Sequence, residues 1–470
     1  MRATDYMKEL LFEGEARSKV KKTQWGGLDR TRAFDSGGIS EAVNIDTSFL
    51  PALRSAPMPL FVSKVDGIPL GAYAGDGYVF VIYSSNGKIM AKRITEDGEQ
   101  TGVLSDNGDD LEKRCIVAFN RYTTPLDPLS GEYEKLLLVF PDKKCCSAET
   151  GDPVEFSGIS GSPMPDIKHA AVHSSRVFGV DGDRVYASAF NDCGNWELDT
   201  AEDIGAENAW ATTSQSSTKA SGGYTAVACC DGYAVCFRRD HMQQVYNNKN
   251  PFRLVDIGAW GCMDGYSVCE WNNNLAFASD SGIWLYSGGY PKLISERLAV
   301  KSFEGTRLGA CADLLFAYIP SEGRTFVYEN TSDSWGERAL GEIAVFAGDG
   351  KRVYAVKNDG TVLLMDGGEY GSFCVETDFM SLGVYNPKML KGIAATAELG
   401  EGSALHVSLV YSNGELRAVS STSPGLQVLR TAVRARRSDF AKIRLEGYGK
   451  VDMFGLSMSF AYGDTPGGAG

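Results

Sequence analysis

The sequence predicts an all-β chain: a β-propeller of about seven blades, within a range of six to eight, followed by a C-terminal β-sandwich and preceded by a short N-terminal arm or helix. Three observations predict it. Glycine supplies 54 of 470 residues, well above the ordinary share, which calls for many tight turns and therefore many short strands. A second pattern recurs seven times, an apolar, aromatic-rich strand, a turn with Gly, Asn or Asp, and another strand; the copies begin near residues 77, 135, 176, 232, 274, 314 and 352. Successive starts differ by 58, 41, 56, 42, 40 and 38 residues, and spacing near 40 suits four short strands per unit, as in a propeller blade.

Taken in order, residues 3–22 read as a short amphipathic helix or a basic-ended arm. Its apolar cluster Leu10, Leu11 and Phe12 precedes Arg17, Lys19, Lys21 and Lys22. A segment this short is unstable alone, so it is expected to order against a neighbouring subunit. Residues 1–60 form this arm and a Gly-rich, irregular lead-in. The propeller is assigned to 61–370, where Asn86-Gly87, Asp181-Gly182, Ser281-Gly282, Glu322-Gly323 and Asp359-Gly360 supply the turn chemistry of hairpins. Residues 371–464 alternate polar and apolar in ALHVSLVYSNGELRAVS and KIRLEGYGKVDMFGLSMSFAYGD, the pattern of a separate β-sandwich. The last residues, 465–470, read as a frayed tail.

Composition limits function. A net charge of −14 discourages generic binding to nucleic acid or anionic membrane, and no membrane partner is expected. No run of about 18 apolar residues occurs, and charges interrupt the N-terminus, so neither a span nor a signal peptide is expected and synthesis is placed in a cytosol. The eleven cysteines are odd in number and lack CxxC spacing, which reads as scattered core thiols in a reducing compartment. Phosphate-loop, metalloprotease, nucleophile-elbow and EF-hand motifs are missing; no enzyme activity, cofactor or metal is expected. His169 and His173 read as ordinary packing or surface residues, and Gly447-Tyr448-Gly449 as a strand turn. Residues 96–112 carry Glu96, Asp97, Glu99, Asp106, Asp109, Asp110 and Glu112 without Lys or Arg, read as a solvated loop between blades. The converse lies at 430–444, where Arg430, Arg434, Arg436, Arg437, Lys442 and Arg444 face one acid, Asp439, a local net of 6 − 1 = +5. Such a cluster is expected on an assembly or channel-facing surface, meeting acidic partner residues or DNA phosphates, with a solvated strand edge as the plain alternative.

Several stretches resemble a known family. Gly27-Leu28-Asp29, Asn44 and Pro51-Ala52-Leu53-Arg54 resemble the opening of the stabilization proteins of tailed-phage virions. SSRVFGVDGDRVYASAFNDCGNWE (174–197) is similar to a blade of that family, with Ser175 and Asn191-Asp192-Cys193 replacing its usual residues. SGIWLYSGGYPKLIS (281–295) and VRARRSDFAKIRLEGYGKVDMFGLSMSFAYGD (433–464) resemble its later units. FVYENTSDSWGER (326–338) resembles the ending of kelch-like blades and superficially the Asp box of sialidases, but Asp333 is followed by Ser334-Trp335 without the Gly that box needs. The resemblance implies a structural virion protein, a head-to-tail connector of the neck or tail hub that seals or extends the DNA channel below the portal. It implies portal, adaptor or tail proteins as partners, a homo-oligomeric ring with six copies favoured, and non-specific contact with channel DNA. The rival function is a glycan-binding or glycan-cleaving propeller of a phage tail or cell surface.

Overall fold

The computed structural model describes residues 7–13, 15–22, 25–31, 38–75, 77–122, 132–198, 205–212, 222–230, 232–247, 249–365, 367–380, 388–411, 414–432, 437–438 and 440–462. Six four-stranded antiparallel sheets and a four-stranded stretch of a nine-stranded sheet follow one another along the chain. Blade 1 runs from Ile68–Gly75 to Gly98–Ser105, blade 2 from Cys115–Tyr122 to Ser157–Gly158, and blade 3 from His169–His173 to Trp210–Ala211. Blade 4 runs from Tyr224–Cys230 to Arg253–Gly258, blade 5 from Val268–Trp271 to Lys292–Leu293, and blade 6 from Arg307–Cys311 to Ser334–Arg338. The first strands neighbour one another in cyclic order, blade 7 meeting blade 1, so the propeller has seven blades.

Each of the seven sequence recurrences falls on the second strand of a blade, among them Tyr78–Ser85, Tyr133–Phe140, Leu314–Ile319 and Val353–Lys357. The reason is burial: Val79, Phe80, Val81 and Ile82 are fully covered, because the second strand is packed by blades on both sides and reads as an unbroken apolar run. Asn86 and Gly87 both take positive φ, 51° and 72°, which twists that hairpin in the sense its strands require.

Blade 7 closes the ring with chain from far away. Its strands Ile343–Gly348, Val353–Lys357 and Thr361–Leu364 are completed by Leu60–Lys64. The lead-in is therefore not irregular. Ile39–Val43 pairs with Ser372–Thr377, and Leu53–Ser55 pairs with Val451–Tyr462. The sandwich consequently begins before the propeller as well as after it, rather than at residue 371 alone.

One sandwich sheet contains Ile39–Val43, Ser372–Thr377, Ala441–Tyr448, Ala404–Tyr411 and Gly414–Ser421, and it continues into blade 6 through the Val43–Glu337 bridge. The other orders Met7–Glu13, Glu15–Lys22, Val451–Tyr462, Lys388–Leu399 and Gly425–Ala432. Leu405, Val407, Leu409, Ile443 and Leu445 from the first meet Ile393, Ala395, Met458 and Phe460 from the second in one core that also includes blade 6.

The N-terminal arm is a β-hairpin rather than a helix. Leu10, Leu11 and Phe12 lie on Met7–Glu13, and Arg17, Lys19, Lys21 and Lys22 on Glu15–Lys22, which pairs with Val451–Tyr462 from Ala16↔Tyr462 to Lys22↔Leu456. An unpaired edge on the last strand would leave a row of backbone groups open, and the hairpin satisfies them. The tail at 465–470 lies outside the described residues.

Two residues of the opening stretch that carries the family resemblance, Leu28 and Asn44, meet blade 6 and the chain just after it. Leu28 N–H donates to the Trp335 carbonyl at 2.8 Å. Asn44, buried at φ 55°, donates from Nδ2 to the Ser372 carbonyl at 2.8 Å and accepts from Ala339 N–H at 3.2 Å, a conformation Asn tolerates better than most residues. Arg54 donates from Nε and Nη2 to both Asp452 oxygens at 2.6 and 2.7 Å. The Arg54–Asp452 pair lies within the outer sandwich sheet.

Candidate functional site

Two places concentrate chemistry, the axis of the propeller and the outer face of the sandwich. The first strands of the blades enclose an axial cavity of about 680 Å³ lined by Cys115, His169, Tyr266, Cys269, Glu270 and Trp271 among others. Cys115 opens blade 2 and His169 opens blade 3, so the register of adjacent blades sets them side by side. Cys115 Sγ donates to the Ala170 carbonyl and accepts from the Ala170 N–H, both at 3.5 Å. Val227 N–H reaches His169 Nδ1 at 3.4 Å, the long end of a hydrogen bond. The Tyr266 hydroxyl, buried in this wall, has no hydrogen-bond partner among the described residues.

Electrostatics separates Cys115 from the other thiols. Burial pushes its pKa up, but the charge and hydrogen bond of His169 outweigh burial and bring it below the ordinary thiol value. The His169 ring is lowered by burial and raised more strongly by Cys115, then by Asp264 and the Gly265 carbonyl, and ends above its ordinary value. By contrast burial drives Cys146, Cys193, Cys269 and Cys374 up to about 12. At the same end, burial first and the Arg307 charge second depress Lys113 to about 8, while Arg307 pairs with Asp264 at 2.9 Å.

All eleven thiols are free. The sequence grouped Cys115 with the core, and its 7% exposure agrees, but 54 residues separate it from His169 and no spacing links two blades. His169 and His173 end one strand, roughly 13 Å apart at the rise of an extended chain, too far to share an ion; His173 Nε2 meets Ser174 Oγ at 2.9 Å instead. Gly447 and Tyr448 end the strand Ala441–Tyr448, and Gly449 opens the turn into Val451–Tyr462.

The second place unites basic segments that lie 400 residues apart. Across the outer sheet, Lys21, Ser457, Ala394 and Arg430 are opposite one another in successive strands, and Lys19, Ser459, Gly392 and Ala432 form the next row. Directly opposed residues share a face. Gly392, Ala394, Thr396, Ser457 and Ser459 floor a shallow trough of about 720 Å³, walled by Val428, Arg430 and Phe454. Leu426 is 69% exposed and Val428 51%, and both share a strand face with Arg430.

The remaining members of the basic cluster divide. Arg434 and Arg436 lie outside the described residues. Arg437 pairs with Met389 at the edge of the outer sheet. Lys442 and Arg444 stand on the other sheet and are not an uncompensated charge: Lys442 Nζ meets Glu376 at 2.8 Å, and Arg444 meets Glu376 at 2.6 Å and Glu415 at 3.0 Å. The local count of +5 fails here because neighbouring strands, distant in sequence, supply the acids.

Burial pushes the Glu376 carboxyl up, but Lys442 and Arg444 outweigh it and hold its pKa below the ordinary value. A depressed folded pKa gives stability that is present above the unfolded value, near 4.5, and lost as pH falls below it. Glu376→Gln is therefore expected to destabilise the chain at pH 7 and to flatten the acid limb of its stability curve below about pH 4.5. Urea midpoints between pH 3 and 7 check this, and parallel curves for variant and parent would contradict it.

The fold and sites define a seven-bladed β-propeller fused to a two-sheet sandwich through its own N-terminal segment. No family model matches the chain, and no curated protein matches it. Among solved structures it is similar to BamB from Moraxella catarrhalis, at 11% identity over 73% of this chain and 99% of that one, with a TM-score of 0.38. It is also similar to YCF48 from Cyanidioschyzon merolae, at 9% identity, 66% and 98% coverage and a TM-score of 0.40. The computationally designed Ika8 protein is similar at 11% identity, 66% and 100% coverage and a TM-score of 0.37.

Proposed function

We propose that the chain is a structural virion protein of a tailed bacteriophage, a head-to-tail connector of the neck or tail hub, made in the host cytoplasm and without enzymatic turnover. The observation that carries this is the outer sandwich face, where Lys19, Lys21 and Arg430 are registered beside exposed Leu426 and Val428 in a chain of net charge −14. A mixed basic and apolar sheet face fits an acidic protein surface better than DNA, because phosphates offer nothing to desolvate the apolar side chains. The ordered resemblance to stabilization proteins supports the same assignment. A component docked on a symmetric portal ring forms closed head-to-tail contacts, with six copies expected.

Lys21→Glu with Arg430→Glu is expected to leave the melting temperature of the free chain within about 2 °C, since surface changes away from buried networks cost little, while abolishing incorporation into particles. Electron microscopy of purified particles locates the chain. Normal incorporation of the double variant, or a position on a distal fibre, would overturn the assignment.

A further inference from the structure

Three aromatic side chains gather where blade 4 passes into the outer strands of blade 5. Trp260 lies in the link between Arg253–Gly258 and Val268–Trp271, Trp284 on the third strand of blade 5, Gly282–Tyr286, and Tyr290 in the turn before Lys292–Leu293. The Trp260 ring centroid is 6.4 Å from that of Trp284 and 5.7 Å from that of Tyr290, with planes inclined by 68° and 55°. Two of the rings are anchored. The Trp260 ring rests on Gly258, where an added Cβ would come within 2.5 Å of its Cζ3, and Trp284 Nε1 donates to Ser279 Oγ at 2.9 Å. Both indoles are half-buried against the core shared by blades 4 and 5, whereas Tyr290 is 84% exposed, the largest exposure of any big apolar side chain among the described residues. Charged groups border the rings: Arg239 Nη2 donates to Asp280 Oδ1 at 3.2 Å and lies 3.9 Å from Glu304 Oε1, and all three side chains are more than half exposed. Asp280 directly follows Ser279, the acceptor of the Trp284 bond. Cys262 N–H, two residues beyond Trp260, donates to the Arg238 carbonyl at 3.0 Å, which ties the Arg239 turn to the same segment.

We propose that Trp260, Trp284 and Tyr290 form a glycan-binding ledge that takes a β-linked oligosaccharide of gluco configuration. In such a sugar every ring substituent is equatorial, so both ring faces present C–H bonds and the rim carries the hydroxyls. An apolar face bounded by a polar rim matches aromatic rings bounded by an exposed ion pair: the pyranose face lies on Tyr290 and Trp260, while Arg239 donates to rim hydroxyls and Asp280 accepts from them. An N-acetyl substituent adds a methyl group for the rings and an N–H for the carboxylate. Charge favours a neutral ligand, because two carboxylates, Asp280 and Glu304, outnumber the one guanidinium and repel the phosphates that would accompany a stacked nucleobase. The inference goes beyond the docking role: the ledge lies on blades 4 and 5, the basic face lies on the sandwich, and the two share no residue.

The probe is chitotetraose, four β-1,4-linked N-acetylglucosamine units, titrated into the full native chain at about pH 7 and followed by tryptophan fluorescence and calorimetry. Saturable binding is expected with a Kd on the order of 0.1–1 mM, the range for a ligand held by a few rings and solvated hydrogen bonds. Tyr290→Ala is expected to weaken it about tenfold, the scale of one lost stacking partner, and Asp280→Asn about threefold to tenfold, the scale of a lost hydrogen bond to a charged group. Both side chains are exposed, so each variant should keep its melting temperature within about 2 °C, which separates lost binding from lost folding. No saturation by about 10 mM, tenfold above the weakest expected Kd, or an affinity unchanged by Tyr290→Ala would overturn the proposal. Tighter binding of a thymidine decanucleotide than of chitotetraose would also overturn it and assign the rings to base stacking.

Discussion

Trp335→Ala is expected to lower the unfolding free energy by about 3–5 kcal/mol, the range for removing a buried Trp from a core that cannot fully collapse. Trp335 is 1% exposed, its ring centroid lies 5.1 Å from that of Tyr328, and its Nε1 donates to the Ile294 carbonyl at 2.7 Å. Its backbone also carries the Leu28 contact, and an added Cβ on Gly27 would come within 3.1 Å of Trp335 N, so the lead-in is pressed against it. The surrounding core joins blades 5 and 6 to the sandwich. Loss of the ring removes packing on both sides, and a single urea transition should separate into two. Trp335→Phe retains most of the ring and loses the hydrogen bond, leaving the Ile294 carbonyl unmet, for about 1–3 kcal/mol. Urea unfolding followed by fluorescence and circular dichroism checks both. A loss below about 1 kcal/mol for Trp335→Ala would mean that the joint is not held by this residue.

The second large effect is expected at the ring closure. Gly360 has φ 83°, and a Cβ built there lies 2.1 Å from the Val65 carbonyl oxygen. Val65 N–H in turn donates to the Gly360 carbonyl at 2.9 Å, immediately after the closing strand Leu60–Lys64. Gly360→Val thus adds a branched side chain at a left-handed backbone position and drives it into the strand that completes blade 7. Strain of about 1–3 kcal/mol and a similar cost of overpacking together give a loss of about 3–5 kcal/mol. Because that strand ties blade 7 to the chain before blade 1, protease cleavage should appear within residues 60–66 in the native state. Gly87→Ala is the control: its φ is 72°, but a Cβ there meets nothing within 4 Å, so only the backbone cost of about 1 kcal/mol remains. Equal losses for the two variants would show that the closing strand yields without resistance.

Two charge clusters show how far local reading reaches. The acidic stretch 96–112 contains no Lys or Arg, yet Lys92 meets Glu99 at 2.6 Å, Lys88 meets Asp106 at 2.9 Å, Arg114 meets Asp110 at 2.8 Å and Lys168 meets Glu112 at 2.7 Å. The basic stretch fails in the same way, since Glu376 and Glu415 reach Lys442 and Arg444 from other strands. Opposed residues on paired strands are neighbours at any sequence distance, so a window count of charge has no bearing on who neutralises whom.

The blades themselves were legible because their cause is local. An apolar second strand buried on both faces, a turn at Asn86-Gly87 or Asp359-Gly360 and a repeat near 40 residues are all written within one blade, and seven of them follow from the sequence alone. The tertiary structure alone decided that Leu60–Lys64 closes blade 7, that Glu15–Lys22 pairs with Val451–Tyr462, that Lys21 and Arg430 fall in one register row, and that Cys115 and His169 line one cavity. Each of those joins residues whose separation is set by the register of whole sheets, and strand pairing through backbone hydrogen bonds leaves no residue-specific mark on either partner.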